Sequence, residues 1–359
     1  MTSSPALPEE AYAAALASVP KVGPAALRRM LTDDPPSVAW SRAGLGPDAE
    51  VARVWQRHEE LEIHVLTARH PEYPRRLLAE PEAPAVVFCR GNPALANQYP
   101  TVALVGTRSP TRYGIGVAAQ LGAELAAAGV SVVSGLALGI DGAAHEGASS
   151  AGAPPIAVVA GGLDEPYPRR HERLWARVGT EGAIFSESPA GVRTEKWRFP
   201  VRNRLLASLS DVVVVVESRH GGGSRHTVDA ALARGIPIGA VPGSIRSPTS
   251  EGTNALLVEG CFPVCGVTDV LVALSLTGVT LEGVPRPAGA GTGTGSGSTR
   301  AAPYQGPDQA LFNVLSPDPT SLEQLARLTG LDLAALCGGL ERLARAGVAR
   351  DVGGWWELT

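Results

Sequence analysis

The chain of 359 residues is long enough for two or three domains. Its composition, 44% hydrophobic and 18% charged, is typical of a folded globular protein and excludes a largely disordered one. The formal net charge of −4 excludes a protein that coats DNA with its whole surface.

Residues 1–66 are predicted to form an N-terminal domain of short helices. Helix breaks are expected at Pro20, Pro24, Pro35–Pro36 and Gly44–Pro47. The segment LASVPKVGPAALRRML resembles a helix-hairpin-helix, whose turn can offer backbone N–H groups to phosphate. From the sequence alone it is either a DNA contact or a helical packing module.

Residues 67–278 alternate strands and helices, which predicts an α/β domain with an extended Rossmann-like, doubly wound and mostly parallel sheet. The predicted strands are Ala85–Cys89, Thr101–Val105, Val130–Ser134, Pro155–Ala160, Ala183–Ser186, Val212–Glu217, Ile236–Val241 and Phe262–Val264. The predicted helices are Gly116–Ala128, Asp141–Ser150, His171–Val178, Arg204–Leu209, Thr227–Arg234 and Thr268–Leu274. Ligands of such sheets bind beyond the carboxyl ends of the strands.

Six of these strands end in small or polar residues that suit an anion. The first of them is followed by Gly106-Thr107-Arg108, where glycine and a guanidinium can share a phosphate. The next ends at Ser134-Gly135, where a dinucleotide fold would place an acid, so NAD binding is not expected. The others end near Gly161, Ser186-Glu187, Glu217 and Val241–Ser244. Convergence of these ends on one edge predicts an anion pocket.

Two further segments supply predicted phosphate contacts. FPVRNRLLASLSD places Arg202, Asn203 and Arg204 at an expected helix start, beside Phe199 as a stacking face. The arginines could instead form ion pairs with Glu187 or Glu195. HGGGSRHT places Gly223-Ser224 just before a helix N-terminus, a favourable position for phosphate.

Charge is concentrated in the same region. Between Arg169 and Arg204 there are nine basic and four acidic residues, as expected for a basic groove on a weakly acidic protein. Arginine is common throughout the chain, since it accounts for 29 of the 31 basic residues. The positions of the arginines are therefore the evidence, and their frequency is not.

Residues 279–305 are predicted to be a flexible Gly/Thr/Ser linker, and residues 306–359 a winged helix. Its expected helices are Ala310–Leu315, Leu322–Thr329 and Leu333–Ala346, followed by two short strands around Gly353-Gly354. The third helix begins with acidic and apolar residues, and a helix that reads the major groove needs basic or amide side chains there. We expect this module to bind a protein or its own core domain.

Enzymatic chemistry is not expected. His145 follows Asp141, but no serine or cysteine motif calls for a base, so a buried structural histidine and a helix-capping aspartate are favoured. Cys261 and Cys265 lack neighbouring ligands for zinc. We expect no metal, no cofactor, no secretion signal and no membrane helix, which favours a cytoplasmic protein.

Six sequence blocks resemble the DprA/Smf family in their order and spacing. They are VALVGTR, SGLALGID, GGLDEPYP, FPVRNRLLASLS, VVVVVES with GGGS, and AVPGS with SEGTNALL. The resemblance implies a homodimer that binds single-stranded DNA and hands it to a RecA-type recombinase during uptake of transforming DNA. The DNA-contacting positions that it implies are Arg108, Ser134, Gly135, Gly161, Phe199, Arg202, Asn203, Arg204, Gly223 and Ser224.

The sequence departs from the family at Arg225-His226, where an aliphatic residue usually follows the Gly-Ser turn. A diverged paralogue is therefore an alternative to a transformation protein. Nucleotide phosphoribohydrolases of the cytokinin-activating kind, with a PGGxGTxxE loop on a similar sheet, are a second alternative. The glutamate of that loop is absent here, and Asp229 is a poor substitute.

Overall fold

The computed structural model describes residues 6–279, 304, 306–315, 320–351 and 355–358. The chain divides into two units, residues 1–289 and residues 290–359, and the division falls within the predicted 279–305 linker. All of that linker except residues 279 and 304 lies outside the described residues.

The N-terminal region contains short helices, four among the described residues: α1 (Glu9–Ser18), α2 (Pro24–Met30), α3 (Pro36–Arg42) and α4 (Asp48–Glu60). Proline is the first residue of α2 and α3, a position where its missing N–H breaks no hydrogen bond. Buried alanines of α1 belong to the same apolar cluster as Val86 and Phe88 of the large sheet. The helices therefore share a core with the α/β domain.

A strand that was not predicted follows these helices. Strand β1 (Ile63–Thr67) pairs antiparallel with β2 (Val86–Gly91), and Ile63 lies opposite Arg90. The domain boundary predicted between residues 66 and 67 thus falls inside a strand.

The remaining strands confirm the predicted doubly wound sheet. They are β3 (Thr101–Val105), β4 (Ser131–Ser134), β5 (Ile156–Val158), β6 (Ala183–Ser186), β7 (Val212–Val215), β8 (Ile238–Ala240) and β9 (Phe262–Pro263). The order across the sheet is β1-β2-β6-β5-β4-β3-β7-β8-β9, and all neighbours are parallel except β1–β2 and β2–β6. Strand β7 is four valines without exposed surface, because helices cover both faces of the sheet.

Besides a short 3-10 helix at Arg169–His171, the helices of this domain are two four-residue turns and seven longer segments. The turns are α5 (Arg75–Leu78) and α6 (Leu95–Gln98). The longer helices are α7 (Arg112–Ala127), α8 (Ile140–Ala148), α9 (Glu172–Glu181), α10 (Arg198–Ser208), α11 (Arg225–Leu232), α12 (Glu251–Val258) and α13 (Val267–Leu276).

Two expectations about helix starts are wrong. Helix α10 begins at Arg198, so Arg202, Asn203 and Arg204 lie in its interior and not at its start. The helix accommodates Pro200 because a proline in the first turn removes only an N–H that has no intrahelical acceptor. Asp141 does not cap α8; the cap is Gly139, whose φ of 85° favours glycine.

The C-terminal unit is the predicted winged helix. It contains α14 (Pro307–Val314), β10 (Thr320–Ser321), α15 (Leu322–Thr329), α16 (Leu333–Arg345), β11 (Ala349–Asp351) and β12 (Trp355–Leu358). The strands pair antiparallel in the order β10-β12-β11 around a core of buried leucines. Trp356 packs against that core and Trp355 is half exposed, while Gly353-Gly354 lies outside the described residues.

Within the described residues, no helix combines the length and the apolar character that a membrane span requires.

Candidate nucleic-acid interface

The parallel strands β5, β4, β3, β7 and β8 end at one edge of the sheet, and the loops that follow them form the candidate site. A pocket of about 60 Å³ opens there. Its lining includes Arg108, Gly135, Gly161, Tyr167, Trp175 and Phe199. Four of the predicted site residues are therefore brought together around one pocket.

Glu217, just after β7, holds the loop that carries Arg108. Its carbonyl oxygen accepts a 2.8 Å hydrogen bond from the amide of Thr107. Its buried carboxylate accepts bonds of 2.8 and 2.5 Å from the amide and hydroxyl of Thr111, the residue before α7. A Cβ at Gly106 would come within 2.7 Å of that carbonyl oxygen, so glycine is required. The amide of Thr107 is therefore engaged within the protein, and Arg108 is the exposed group of this turn.

Arg108 lies over an aromatic face. Its guanidinium carbon is 4.3 Å from the centroid of the Phe199 ring, and the ring of Tyr167 lies 6.0 Å from that of Phe199. Arg108 and Tyr167 are exposed and Phe199 is half-buried. A cation and two aromatic rings at one surface can bind a phosphate and stack on a base.

The floor of the pocket is built from closely packed glycines. The Ser134 hydroxyl donates to the carbonyl of Leu104 at 2.6 Å, and the amide of Gly135 donates to Asp141 at 3.1 Å. A Cβ on Gly161 would collide with the hydroxyl of Thr194. Ser134, Gly135 and Gly161 are all buried, so they shape the pocket from below.

Arg202 lies beneath this floor. Its side chain is buried, donates to the carbonyl of Val158 and lies directly against Gly135, where a Cβ would clash with the guanidinium. Burial lowers the pKa of Arg202 to about 10, and the nearby charge of Asp141 opposes that shift. Burial also raises the pKa of Asp141, while Arg202 and two backbone N–H groups act in the opposite direction. The structure thus places Arg202 inside the protein and not on the exposed surface of the pocket.

Arg204 forms the ion pair that was the alternative to DNA contact. It donates to both carboxylate oxygens of Glu187, at 2.7 and 2.6 Å, and to the carbonyl of Glu82 at 3.0 Å. Asn203 is buried, and its amide reaches the carbonyl of Gly223 at 3.5 Å. Both residues connect α10 to neighbouring segments.

The Gly223-Ser224 turn is separate from the pocket of Arg108. Gly223 is exposed with open space around it, and the buried Ser224 hydroxyl is 2.7 Å from that of Ser218. Arg225, where the sequence departs from the family, donates to Glu259 at 2.8 Å and to Asp229 at 2.9 Å. The departure therefore adds an ion-pair link between α11 and α12.

Three site residues were not selected from the sequence. Tyr167, Trp175 and Glu217 belong to predicted strand ends and helices, but no sequence pattern indicates the direction of their side chains. The indole N–H of Trp175 is buried and has no hydrogen-bond partner among the described residues. Glu217, an acid after an all-valine strand, was the one detectable signal. Cys261 and Cys265 belong to no group of three potential metal ligands among the described residues.

The chain matches known families and proteins over most of its length. Residues 64–275 match the family model of DNA recombination-mediator protein A, and residues 298–351 match that of the DprA winged helix domain. The putative DNA processing protein DprA of Mycobacterium tuberculosis is 37% identical over 280 residues, covering 77% of this chain and 69% of the relative. The DNA processing protein DprA of Bacillus subtilis is 34% identical over 225 residues, covering 63% and 76%.

Two solved structures are similar. The DNA processing protein A of Streptococcus pneumoniae aligns with a TM-score of 0.59 and 33% identity, covering 66% of this chain and 81% of the other. The Helicobacter pylori protein, described for its single-stranded DNA binding mode, aligns with a TM-score of 0.55 and 29% identity, covering 60% and 96%.

Proposed function

Because the chain belongs to the DNA recombination-mediator protein A family, we propose that it binds single-stranded DNA at the pocket of Arg108 and passes the strand to a RecA-type recombinase. The observation that carries the proposal is the guanidinium of Arg108 over the ring of Phe199, with Tyr167 beside it. A relative from Helicobacter pylori with the same fold is described as binding single-stranded DNA.

The chemistry of the pocket favours a flexible single strand over a duplex. Stacking on an aromatic ring requires an unpaired base, and a duplex keeps its bases stacked inside the helix. Arg108 neutralises one phosphate, so affinity falls as salt rises. Direct contact is assigned to Arg108 and Phe199, with Tyr167 as a second stacking face.

The other predicted site residues take supporting roles in this proposal. Gly106, Thr107, Ser134, Gly135 and Gly161 shape the loops, and Arg202 supports them from within. Asn203 supports the turn at Gly223. Arg204 can contact DNA only if it leaves Glu187. Gly223, the exposed residue of the Gly223-Ser224 turn, is proposed as a second phosphate contact along the same edge, with Ser224 buried behind it.

Fluorescence anisotropy with single-stranded and duplex oligonucleotides of equal length, at two salt concentrations, tests DNA binding. We expect tighter binding to the single strand and weaker binding at the higher salt. NAD and AMP should not compete. Equal affinity for both forms, or competition by AMP with release of a base, would favour a nucleotide-processing enzyme instead.

We further propose that the protein acts as a homodimer in DNA uptake or recombination. Sedimentation equilibrium tests the dimer. Stimulation of RecA-dependent ATP hydrolysis on single strands covered by a single-strand-binding protein tests recombinase loading. A monomeric protein, or an unchanged hydrolysis rate, would contradict these parts and leave the DNA-binding proposal standing.

A further inference from the structure

Helix α4 of the N-terminal region contacts both loops that form one side of the pocket. The first loop, residues 159–168, follows β5 and contributes Gly161 and Tyr167 to the lining. The second, residues 187–197, follows β6 and contributes Thr194. The two loops touch where the amide of Gly162 donates to the carbonyl of Val192 at 2.8 Å.

Arg57 of α4 holds the first loop through Asp164. Its Nη2 is 2.8 Å from Oδ2 of Asp164, whose side chain is only 13% exposed. The other oxygen, Oδ1, accepts a 2.8 Å bond from the amide of Gly191 in the second loop. A single carboxylate thus joins α4 to both loops.

His58 of α4 holds the second loop directly. It is 1% exposed and stacks on Phe88, with 5.3 Å between ring centroids. Its Nδ1 is 2.8 Å from the carbonyl of Val54, which can only accept, so Nδ1 carries the proton. Its Nε2 then accepts from the amide of Ala190 at 3.3 Å.

We propose that Arg57 and His58 are positioning residues, which set the spacing of the two loops and so give the N-terminal helices control over the affinity of the pocket for single-stranded DNA. The inference rests on the proposed function, since the pocket is the one assigned to DNA. It gives α4 a role in DNA binding without contact to DNA.

The hydrogen bond to Ala190 makes this control sensitive to pH. Protonation of Nε2 would direct an N–H towards the N–H of Ala190 and remove the bond. Burial lowers the pKa of His58, and the hydrogen bond to the carbonyl of Val54 is the largest effect that opposes this shift. The charge of Arg57 also lowers the pKa, and the charge of Asp164 raises it. A hollow in the surface is lined by His58, Arg57 and Ala190. The other charged groups that line it are Arg53 and Glu60, both of α4. The bond is therefore present at neutral pH and is lost as pH falls below the ordinary histidine range.

Variants of the full-length chain separate the two contacts of His58, its stacking on Phe88 and its hydrogen bond from the amide of Ala190. His58→Gln can keep an acceptor for Ala190 without titrating, and His58→Phe keeps the stacking but has no acceptor. At pH 7.5 we expect His58→Phe to weaken single-strand binding roughly fivefold, since the hydrogen bonds to Ala190 and Val54 are both lost, and His58→Gln to bind like the wild type. As the pH is lowered in steps below the ordinary pKa of histidine, the wild type should approach His58→Phe while His58→Gln changes less.

Arg57→Ala and Asp164→Asn test the ion pair, whose arginine is exposed and whose aspartate is largely covered. Each should weaken binding by a similar factor of roughly two to five, as a partly exposed ion pair would. Arg53→Ala, which removes the same charge one turn earlier, is the matched control and should bind like the wild type. In Arg57→Ala and Asp164→Asn, hydrogen exchange should become faster in residues 159–168 and 187–197, with or without DNA.

The outcomes distinguish failure of this inference from failure of the proposed function. If the wild type binds single strands and every variant binds equally well with unchanged exchange, the inference is wrong. If the wild type binds no DNA but the loops still loosen in the variants, the proposed function is wrong and α4 positions a pocket of another kind. A His58→Gln protein that follows the wild-type pH profile would rule out the histidine as the pH-sensitive group.

Discussion

Arg204 donates to both carboxylate oxygens of Glu187 from the interior of α10, and each side chain of this pair is less than one-sixth exposed. Burial raises the pKa of Glu187 and Arg204 opposes that shift, so the acid depends on its partner to remain charged. The pair ties α10 to the end of β6. Its first consequence is for stability.

Arg204→Ala should destabilise the fold by about 2–4 kcal/mol, because it leaves Glu187 nearly buried without a counter-charge. Urea unfolding measures the change. Arg193→Ala, which removes an exposed arginine from the loop before α10, serves as control and should alter stability by less than about 0.5 kcal/mol. The double variant with Glu187→Ala should cost less than the two single changes together. Strict additivity would show that the pair is not coupled.

Arg108→Ala should weaken single-strand binding by about 1–3 kcal/mol and leave the unfolding midpoint unchanged, because Arg108 is exposed and its loop is held by Glu217. Anisotropy titration at low salt measures it. The control is Arg29→Ala, an exposed arginine of α2 in the helix-hairpin-helix segment. Loss of affinity in Arg29→Ala together with wild-type binding by Arg108→Ala would move the DNA site to the N-terminal hairpin.

Gly135→Ala and Gly116→Ala should have opposite effects on stability. A Cβ at position 135 would collide with the buried guanidinium of Arg202, and the overpacking should cost about 1–3 kcal/mol. Gly116 lies within α7 with nothing within 4 Å of its added Cβ, so alanine should stabilise by about 0.5–1 kcal/mol. Thermal and urea unfolding measure both. Equal effects of the two substitutions would contradict the packing of Arg202 on Gly135.

Stability should fall as pH drops from the ordinary pKa of histidine towards 4. His145 is fully buried in α8, and burial lowers its pKa to about 4. Its contribution is complete above pH 6.5, where it is neutral in both states, and falls as the unfolded chain takes up the proton. The loss for this one group should reach about 3 kcal/mol near pH 4. In His145→Leu the dependence of unfolding free energy on pH should be shallower; identical slopes would exclude this histidine as the cause.

Removal of the winged helix should preserve single-strand affinity. The N-terminal end of α16 offers Leu333 and Ala334, while Asp332 caps it by accepting from the amide of Ala335 at 2.8 Å. Its arginines lie late, and Arg342 is paired with Asp308. A chain ending at Thr277 should bind single strands within a factor of about two of the full chain, because no phosphate-binding feature is lost. A folded, truncated protein without affinity would place the DNA site in the winged helix.

The sequence predicted the elements whose signal is local. The all-valine strand β7 has no polar face, and the small residues after β3, β4 and β5 mark the strand ends. Strand β1 could not be predicted because its apolar run is short: Glu62 precedes it and His64 interrupts it. Glu62 also has a left-handed backbone conformation, with φ of 54°. Pairing with β2 stabilises this segment as a strand, although its own residues do not indicate one.

The roles of the arginines could not be predicted because they depend on distant partners. Arg202 and Arg204 are two apart in one helix, yet one lies against Gly135 and the other pairs with Glu187. From their positions in the sequence, both arginines are expected to contact DNA. The difference arises because side chains two residues apart point to different sides of a helix, towards whatever the sheet places there.

The antiparallel pairing of β2 with β6 means that, during synthesis at the ribosome, β2 emerges before its partner strand. Phe88 aligns with Ser186, so the antiparallel pair of β1 and β2 is made long before β6, the strand that hydrogen-bonds to the other edge of β2. Until then the free edge of β2, whose side chains in the finished fold are almost entirely buried, can pair with another nascent chain. We expect the N-terminal part of this protein to depend on chaperones until β6 has emerged.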